Sequence, residues 1–139
     1  MKDLVDFSIF SRFFHRSHKK SLLVALLGEV VNHEVVNLAV AISKSDKFEI
    51  VLIHSMEIPR HYPIDADLPV ERKSGWEYVR KAESVFKANR CQIEHSGLIM
   101  ARDAGVAVVK EALIRDVDII IVGLPYKQRQ GTYALGTAV

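Results

Sequence analysis

The chain has 139 residues, of which 49% are hydrophobic and 26% are charged, and its net charge is +2. This length and composition are typical of one globular domain and exclude a disordered or collagen-like chain. The apolar runs are too short to cross a bilayer, and a single cysteine, Cys91, excludes an internal disulfide. Because no secretory signal is visible either, the sequence predicts a reducing, cytoplasmic location.

Residues 1–20 form a leader that differs from the body of the chain, residues 21–139. The leader holds five basic and two acidic side chains, whereas the body holds 14 basic and 15 acidic ones, and such a nearly neutral body argues against nucleic-acid binding. Helical spacing places four large apolar side chains of the leader on one face: Leu4, Phe7, Phe10 and Phe14. This pattern favours a terminal helix packed on the body or on a second copy, with a membrane-surface helix as the alternative.

The first half of the body reads as strand, helix and strand. Residues 21–27 are continuously apolar, which predicts a strand buried on both faces and ended by Gly28. Asn32 is a candidate cap for a helix with five apolar positions: Val35, Val36, Leu38, Ala39 and Ile42. Residues 49–56 predict a second buried strand, and three prolines then mark a loop.

The second half of the body shows the same alternation of helices and strands. A helix is expected over residues 71–89, with its core stripe at Trp76, Val79, Ala82 and Phe86. A third strand lies within residues 91–100. Asp103 then caps a helix whose expected apolar side is Val106, Val109, Ala112 and Leu113. Residues 117–122 predict a fourth strand, closed by Gly123, after which a polar loop is expected over 124–132 and a further helix from Tyr133.

Four buried strands alternating with three helices predict an α/β fold, an open parallel sheet with helices on both faces in the Rossmann-like manner. Ligands of such sheets bind outside the carboxyl ends of the strands, near the switch in strand order. The candidate site is therefore built from residues 27–30, 56–59 and 100–103 and from the loop after Gly123.

Glycines near the end of the chain suggest a phosphate site, although neither a G-x-G-x-x-G nor a P-loop motif occurs. Gly123 and Gly136 would let backbone N–H groups approach a phosphate, and Thr137 follows Gly136 at an expected helix start. Lys127 and Arg129 would add charge-assisted hydrogen bonds. The alternative is an ordinary polar surface loop.

Several segments in order resemble the universal stress protein family. They are VDIIIVG (117–123), LGT (135–137), IVLIHSMEIP (50–59) and ARDAGVAVVKEA (101–112). The resemblance spans residues 21–139 and implies that family's adenine-nucleotide-binding fold. It also implies a body that continues with a helix and a fifth strand, so the last edge of the sheet is expected to be missing here. That strand often pairs two copies, which makes a homodimer the expected assembly.

Many members of that family bind ATP through the pattern G-x2-G-x9-G-[ST]. Gly123, Gly136 and Thr137 match it with the spacing intact, while Tyr126 replaces the second glycine. The resemblance therefore implies ATP or AMP as ligand, with magnesium accompanying ATP. Gly28 and Met56 are expected near the base or ribose through backbone contacts. At the end of the first strand, Leu27 replaces the aspartate that nucleotide-binding members carry, and leucine accepts no hydrogen bond.

The lack of the first-strand aspartate, at Leu27, resembles members fused to the cytoplasmic end of amino-acid permeases and ion antiporters. The segment HSMEIPRHYP (54–63) also looks like those members. In that interpretation, residues 1–20 are the segment that links the last membrane helix of a transporter to the body. The alternative function is therefore a nucleotide-free regulatory or dimerisation module tethered to a membrane transporter.

The sequence contains no catalytic constellation or metal-ligand cluster, so we expect a regulatory domain rather than an enzyme. His54 and His95 lie within strands and are interpreted as structural histidines with satisfied hydrogen bonds. Arg102 is interpreted as a phosphate ligand or a solvated arginine, and Asp118 as a pairing residue away from the cleft. The expected function is adenine-nucleotide binding that signals through conformation or partner contacts.

Overall fold

The computed structural model describes residues 19–27, 32–123, 127–129 and 132–134; for residue 32 and the last two ranges it describes the backbone alone. These described residues form six strands: β1 (Ser21–Leu26), β2 (Glu49–Glu57), β3 (Ile93–Ala101), β4 (Ile119–Val122), β5 (Lys127–Arg129) and β6 (Thr132–Ala134). They also form three helices: α1 (Asn32–Asp46), α2 (Pro69–Ala88) and α3 (Ala104–Arg115). Helix α2 begins two residues earlier than expected because proline fits the first helical turn, where its missing N–H costs no hydrogen bond.

Four strands form one parallel sheet in the order β3-β2-β1-β4. Alternate residues of β1 enter two separate cores. Leu22, Val24 and Leu26 pack beneath α1 and α2, whereas Leu23 and Ala25 pack beneath α3. The α/β fold with helices on both faces of an open parallel sheet is thereby confirmed.

The outer strands are less buried than the sequence suggested. Strands β1 and β2 are buried almost throughout, but β3 is half-buried, and Ile119 and Ile120 of β4 are exposed. The prediction of four buried strands is wrong for these two. Both lie at the margins of the four-stranded sheet, where a strand has only one neighbour to shield it.

Helix α3 faces the sheet with a different side from the expected one. Its buried residues are Ala104, Val108 and Ala112, while Val106, Val109 and Leu113 are exposed. Only Ala112 of the predicted apolar side is correct, because small residues let the helix approach the sheet closely. In α1, Leu38 is likewise exposed, although Val35, Val36 and Ala39 are buried as expected. The stripe of α2 is confirmed, with Trp76 partly buried against the core.

The expected polar loop over 124–132 contains strand β5, which pairs antiparallel with β6. Tyr133 lies in β6 opposite Gln128, so the prediction of a helix beginning at Tyr133 is wrong there. In the ranges that the structure describes, no helix has both the length and the apolar character needed to span a membrane.

The junction between leader and body is tied to β2. The Glu49 backbone N–H donates to the carbonyl oxygen of Lys20 at 2.8 Å, which extends the strand pairing into the leader. Lys19 forms an ion pair with Glu49 at 2.6 Å, and Lys20 forms one with Asp46. The hydrogen bond that Lys19 donates to the Glu49 carboxylate raises the pKa of Lys19 above its usual value. The helix predicted over Leu4, Phe7, Phe10 and Phe14 lies outside the described residues.

Candidate functional site

Strand order reverses at β1, which has β2 on one side and β4 on the other. Ala25 is paired with Val122, so Leu26 and Gly123 follow at the same level at the carboxyl ends of β1 and β4. Open α/β sheets bind ligands at this switch point. The structure thus places Gly123, a predicted phosphate-site residue, at the edge where β1 ends.

Leu27 lies at this edge, directly after the last residue of β1. It is half-buried and joins the apolar cluster beneath α3 that includes Leu23 and Val108. The end of β1 therefore contributes an aliphatic side chain where a hydrogen-bond acceptor would be needed to recognise a base or ribose.

Met56 lies on the other side of β1, near the end of β2 and paired with Met100. Its side chain is buried, which fits the expectation that it would offer a ligand only its backbone. Strands β2 and β4 flank β1 and lie about 10 Å apart, and Met56 stands two residues further along β2 than His54, which is level with Leu26 and Gly123.

The N-terminus of α3 reaches the same edge, but protein carboxylates already occupy it. Asp103 caps the helix by accepting a hydrogen bond from the backbone N–H of Val106 at 3.1 Å, as predicted. Glu57 accepts a second one from Ala104 N–H at 3.4 Å. These two carboxylates satisfy the helix end and make it unfavourable for an anion.

Arg102 holds the loop between β2 and α2. Its guanidinium donates to the carbonyl oxygens of Pro59 and Tyr62, each at 2.6 Å, and more weakly to that of Ile58 at 3.4 Å. Arg102 is exposed, which agrees with its interpretation as a solvated side chain, although its guanidinium is also bonded to these carbonyls; its interpretation as a phosphate ligand stays a prediction. Sequence reasoning missed this role because backbone carbonyls leave no residue-specific signal.

His54 lies level with Leu26 and is buried against Tyr78 of α2, with the ring centroids 5.4 Å apart. Within the described part of the chain, its Nδ1 has no hydrogen-bond partner, which corrects the expectation of a fully satisfied histidine. Burial lowers the pKa of His54, and a hydrogen bond with the backbone of Leu26 partly opposes this shift. His54 is therefore neutral at pH 7. His95, also interpreted as structural, is half-buried in β3.

A groove of about 410 Å³ lies between α1 and α2. His33, Tyr78 and Lys81 supply its polar lining, and Val36, Ala82 and Val85 its apolar walls. Sequence analysis did not identify this groove, since its residues come from two helices and share no motif.

The remaining predicted site residues are not tested by the described structure. Gly28, Tyr126, Gly136 and Thr137 lie outside the described residues. The backbones of Lys127 and Arg129 lie in β5, while their side chains are not described. Across the described ranges, no group of three histidine, cysteine or acidic side chains is arranged to hold a metal ion.

Solved structures similar to the chain include three universal stress proteins. The protein from Archaeoglobus fulgidus has a TM-score of 0.70 at 15% identity, covering 86% of this chain and 86% of that chain. The Burkholderia pseudomallei protein has a TM-score of 0.65 at 15% identity, covering 77% and 83%. A universal stress protein in complex with cAMP has a TM-score of 0.58 at 14% identity, covering 74% and 75%. No protein-family model and no curated protein sequence matches the chain. These likenesses show that the chain has the fold of the universal stress proteins.

Proposed function

We propose that the chain binds an adenine nucleotide, or a related small anionic ligand, at the carboxyl ends of β1 and β4. The observation that carries the proposal is the placement of Gly123 level with Leu26 at the switch point of the sheet. Support also comes from the neighbour of the same fold that is in complex with cAMP.

The ligand would be held mainly through its phosphates. Gly28, Gly123, Gly136 and Thr137 would offer backbone N–H groups and a hydroxyl, while Lys127 and Arg129 would add charge. The base and ribose would meet apolar Leu27 and the backbone of Met56. Recognition of the base would then be weak, so ATP, AMP and cyclic nucleotides would differ mainly by their phosphates. Magnesium would enter only with ATP.

Such a domain would signal through conformation or partner contacts rather than through chemistry. A ligand shifts a conformational equilibrium only by its difference in affinity for the two states. The segment at residues 59–62, which Arg102 holds against the start of α3, borders the proposed site and is a candidate for the part that changes.

Calorimetric titration with ATP, AMP and cAMP, with and without magnesium, tests the proposal. We expect micromolar binding that Gly136→Val abolishes. We expect Lys127→Ala and Arg129→Ala each to weaken binding about tenfold, since a lost charge-assisted hydrogen bond is worth about 1.4 kcal/mol. Lys87→Ala, at the opposite end of α2, is the charge-matched control and should bind normally. An absence of heat at millimolar ligand would refute the proposal.

A gain-of-function variant sharpens the test. Leu27→Asp restores an acceptor at the end of β1 and should tighten binding of adenosine ligands relative to inorganic phosphate. Leu38→Asp, on the exposed side of α1, introduces the same charge away from the site. Equal effects of the two substitutions would argue against recognition of the base at Leu27.

The second candidate function is a nucleotide-free regulatory or dimerisation module tethered to a membrane transporter. It is favoured by the packing of Leu27 into the apolar cluster and by the exposed residues of β4. This candidate requires concentration-dependent dimerisation, measured by sedimentation, together with no calorimetric response to any nucleotide. In that case the leader, residues 1–20, would link the domain to the membrane.

A further inference from the structure

The groove between α1 and α2 has the size of a small-molecule site. Its volume is about 410 Å³, and ligand pockets typically measure about 300–1,000 Å³. None of the residues that line it belongs to the nucleotide site proposed above. Helix α1 supplies His33 and Val36, and helix α2 supplies Tyr78, Lys81, Ala82, Ser84 and Val85.

The wall that α2 contributes is a single helical stripe. Tyr78, Ala82 and Val85 follow one another at spacings of four and three residues, and Lys81 lies on the same side of the helix. At a rise of about 1.5 Å per residue, the stripe from Tyr78 to Val85 is about 10 Å long. This length suits a bicyclic aromatic molecule or a medium-length aliphatic chain.

The floor of the groove is apolar and belongs to the core. Val36 and Ala82 are only 4% and 5% exposed, and both are members of the cluster beneath α1 and α2. Because alanine has a short side chain, Ala82 leaves space between the two helices that a larger residue would fill. Val85 is half-buried against the same cluster. An apolar ligand would therefore be removed from water on this floor, which favours binding.

A bridge between the two helices closes one end of the groove. Lys44 Nζ, near the end of α1, donates to Asn89 Oδ1 at 3.0 Å. Asn89 Nδ2 in turn donates to the carbonyl oxygen of Val85 at 2.9 Å. This bridge stands one turn beyond Val85, so a long peptide could follow the groove only by breaking it. The closed end favours a short ligand over a protein segment.

The charge of the lining favours an anion. Lys81 and His33 line the groove, and none of the described residues that line it carries a carboxylate. Within the described ranges, Lys81 forms no ion pair with Glu77, one turn before it, and Glu83 accepts a hydrogen bond from Ser96 of β3 instead. The Lys81 ammonium is therefore available to an external carboxylate.

We propose that the groove binds a small apolar carboxylate, with the carboxylate at Lys81 and the apolar body against Val36 and Ala82. His33 is exposed at the start of α1 and donates a second hydrogen bond from its ring N–H. A flat aromatic body also contacts the Tyr78 ring. An ion pair with an exposed lysine is weak, so the apolar contacts supply most of the affinity.

Titration of the full chain with naphthoate, a bicyclic aromatic carboxylate, tests the proposal. We expect saturable binding with a dissociation constant of about 0.1 mM. The uncharged analogue naphthylmethanol should bind about fivefold more weakly. Lys81→Ala should weaken naphthoate by a similar factor and leave naphthylmethanol unchanged, whereas Lys73→Ala, an exposed lysine two turns earlier in α2, should alter neither. Absence of saturable naphthoate binding, or equal affinities of the acid and the alcohol, would overturn the proposal.

Filling the groove tests the location of the site. Ser84 and Ser45 are both exposed helical residues, and each hydroxyl donates to the carbonyl oxygen three residues earlier, at 2.7 Å to Lys81 and at 2.8 Å to Ile42. Ser84→Trp places a large ring in the groove and should weaken naphthoate at least tenfold, while Ser45→Trp is the matched control and should bind normally.

Two results with these variants would contradict the location. Equal naphthoate affinity of Ser84→Trp and Ser45→Trp, with circular dichroism confirming that both are folded, would overturn the proposal. Displacement of naphthoate by ATP, together with loss of ATP binding in Ser84→Trp, would assign the groove to the nucleotide site and would also overturn it. Naphthoate binding that ATP leaves unchanged supports a separate site, whether or not ATP itself binds.

Discussion

Arg102 and Tyr62 are joined by a hydrogen bond of 2.6 Å from the guanidinium to the backbone carbonyl, across a sequence separation of 40 residues. A second bond of 2.6 Å to Pro59 uses the same guanidinium. Because Arg102 directly precedes the capping residue of α3, it couples the start of that helix to the segment that follows β2. A planar group with several fixed donors suits this role better than a lysine ammonium.

Removing the side chain should loosen the segment that it holds. For Arg102→Ala we expect faster hydrogen exchange at residues 58–62 and a loss of about 1–2 kcal/mol in unfolding free energy, from the lost hydrogen bonds. Arg102→Lys should restore only part of the protection, since lysine cannot bind both carbonyls in the same geometry. Arg80→Ala, on the exposed face of α2, should change neither quantity. Unchanged exchange at residues 58–62 in Arg102→Ala would contradict the role.

Helix α2 is packed closely over the sheet at Gly75. A Cβ at this position would stand 2.7 Å from Leu98 Cδ1 and 3.0 Å from Cδ2 of the buried His54 ring. We expect Gly75→Ala to lower the unfolding free energy by about 1–2 kcal/mol through overpacking, although alanine favours the helix by about 1 kcal/mol. Urea denaturation measures the change, with Ser74→Ala as the neighbouring control. A gain in stability for Gly75→Ala would show that Leu98 and His54 move aside at little cost.

The order of elements could be predicted because each strand and helix carries its own periodicity. Val79, Ala82 and Phe86 face the core as their spacing indicates, and Asp103 caps α3 as its side chain permits. The burial of α3 could not be predicted in the same way. That helix is apolar on two sides, and the side that faces the sheet was decided by the small residues Ala104 and Ala112. Periodicity alone does not distinguish two competing stripes.

The candidate site was predicted less completely than the fold. Gly123 lies at the switch point of the sheet as expected, since the carboxyl ends of parallel strands share one edge. The contacts of Arg102 and Glu57 depend on backbone groups distant in sequence, and no local pattern reports them. The sequence favours a helix from Tyr133 because a single segment shows its own pattern but not the strand with which it pairs.

The burial of His54 predicts an acid-sensitive fold. Its lowered pKa means that the folded state resists protonation, while the unfolded chain binds a proton near pH 6.5. Its contribution to stability is therefore complete above pH 6.5 and is lost as the pH falls from there toward the lowered pKa. We expect His54→Leu to reduce the fall in urea midpoint between pH 7 and pH 5, while His61→Leu, at an exposed position, leaves it unchanged. An identical fall in His54→Leu and the unaltered chain would contradict this.

Asp118 fixes the start of β1, far from the proposed ligand site. Its Oδ2 accepts a hydrogen bond from the backbone N–H of Ser21 at 2.8 Å, and Ser21 is only 6% exposed. Asp118→Ala would leave this buried N–H without that acceptor, so the unfolding free energy should fall by about 1–3 kcal/mol. Asp118→Asn keeps an oxygen acceptor and should recover most of the loss, which separates the hydrogen bond from the charge. Asp67→Ala removes a carboxylate from a side chain that is 82% exposed and should have little effect. If Asp118→Asn destabilises as strongly as Asp118→Ala, the negative charge rather than the hydrogen bond to Ser21 stabilises this edge.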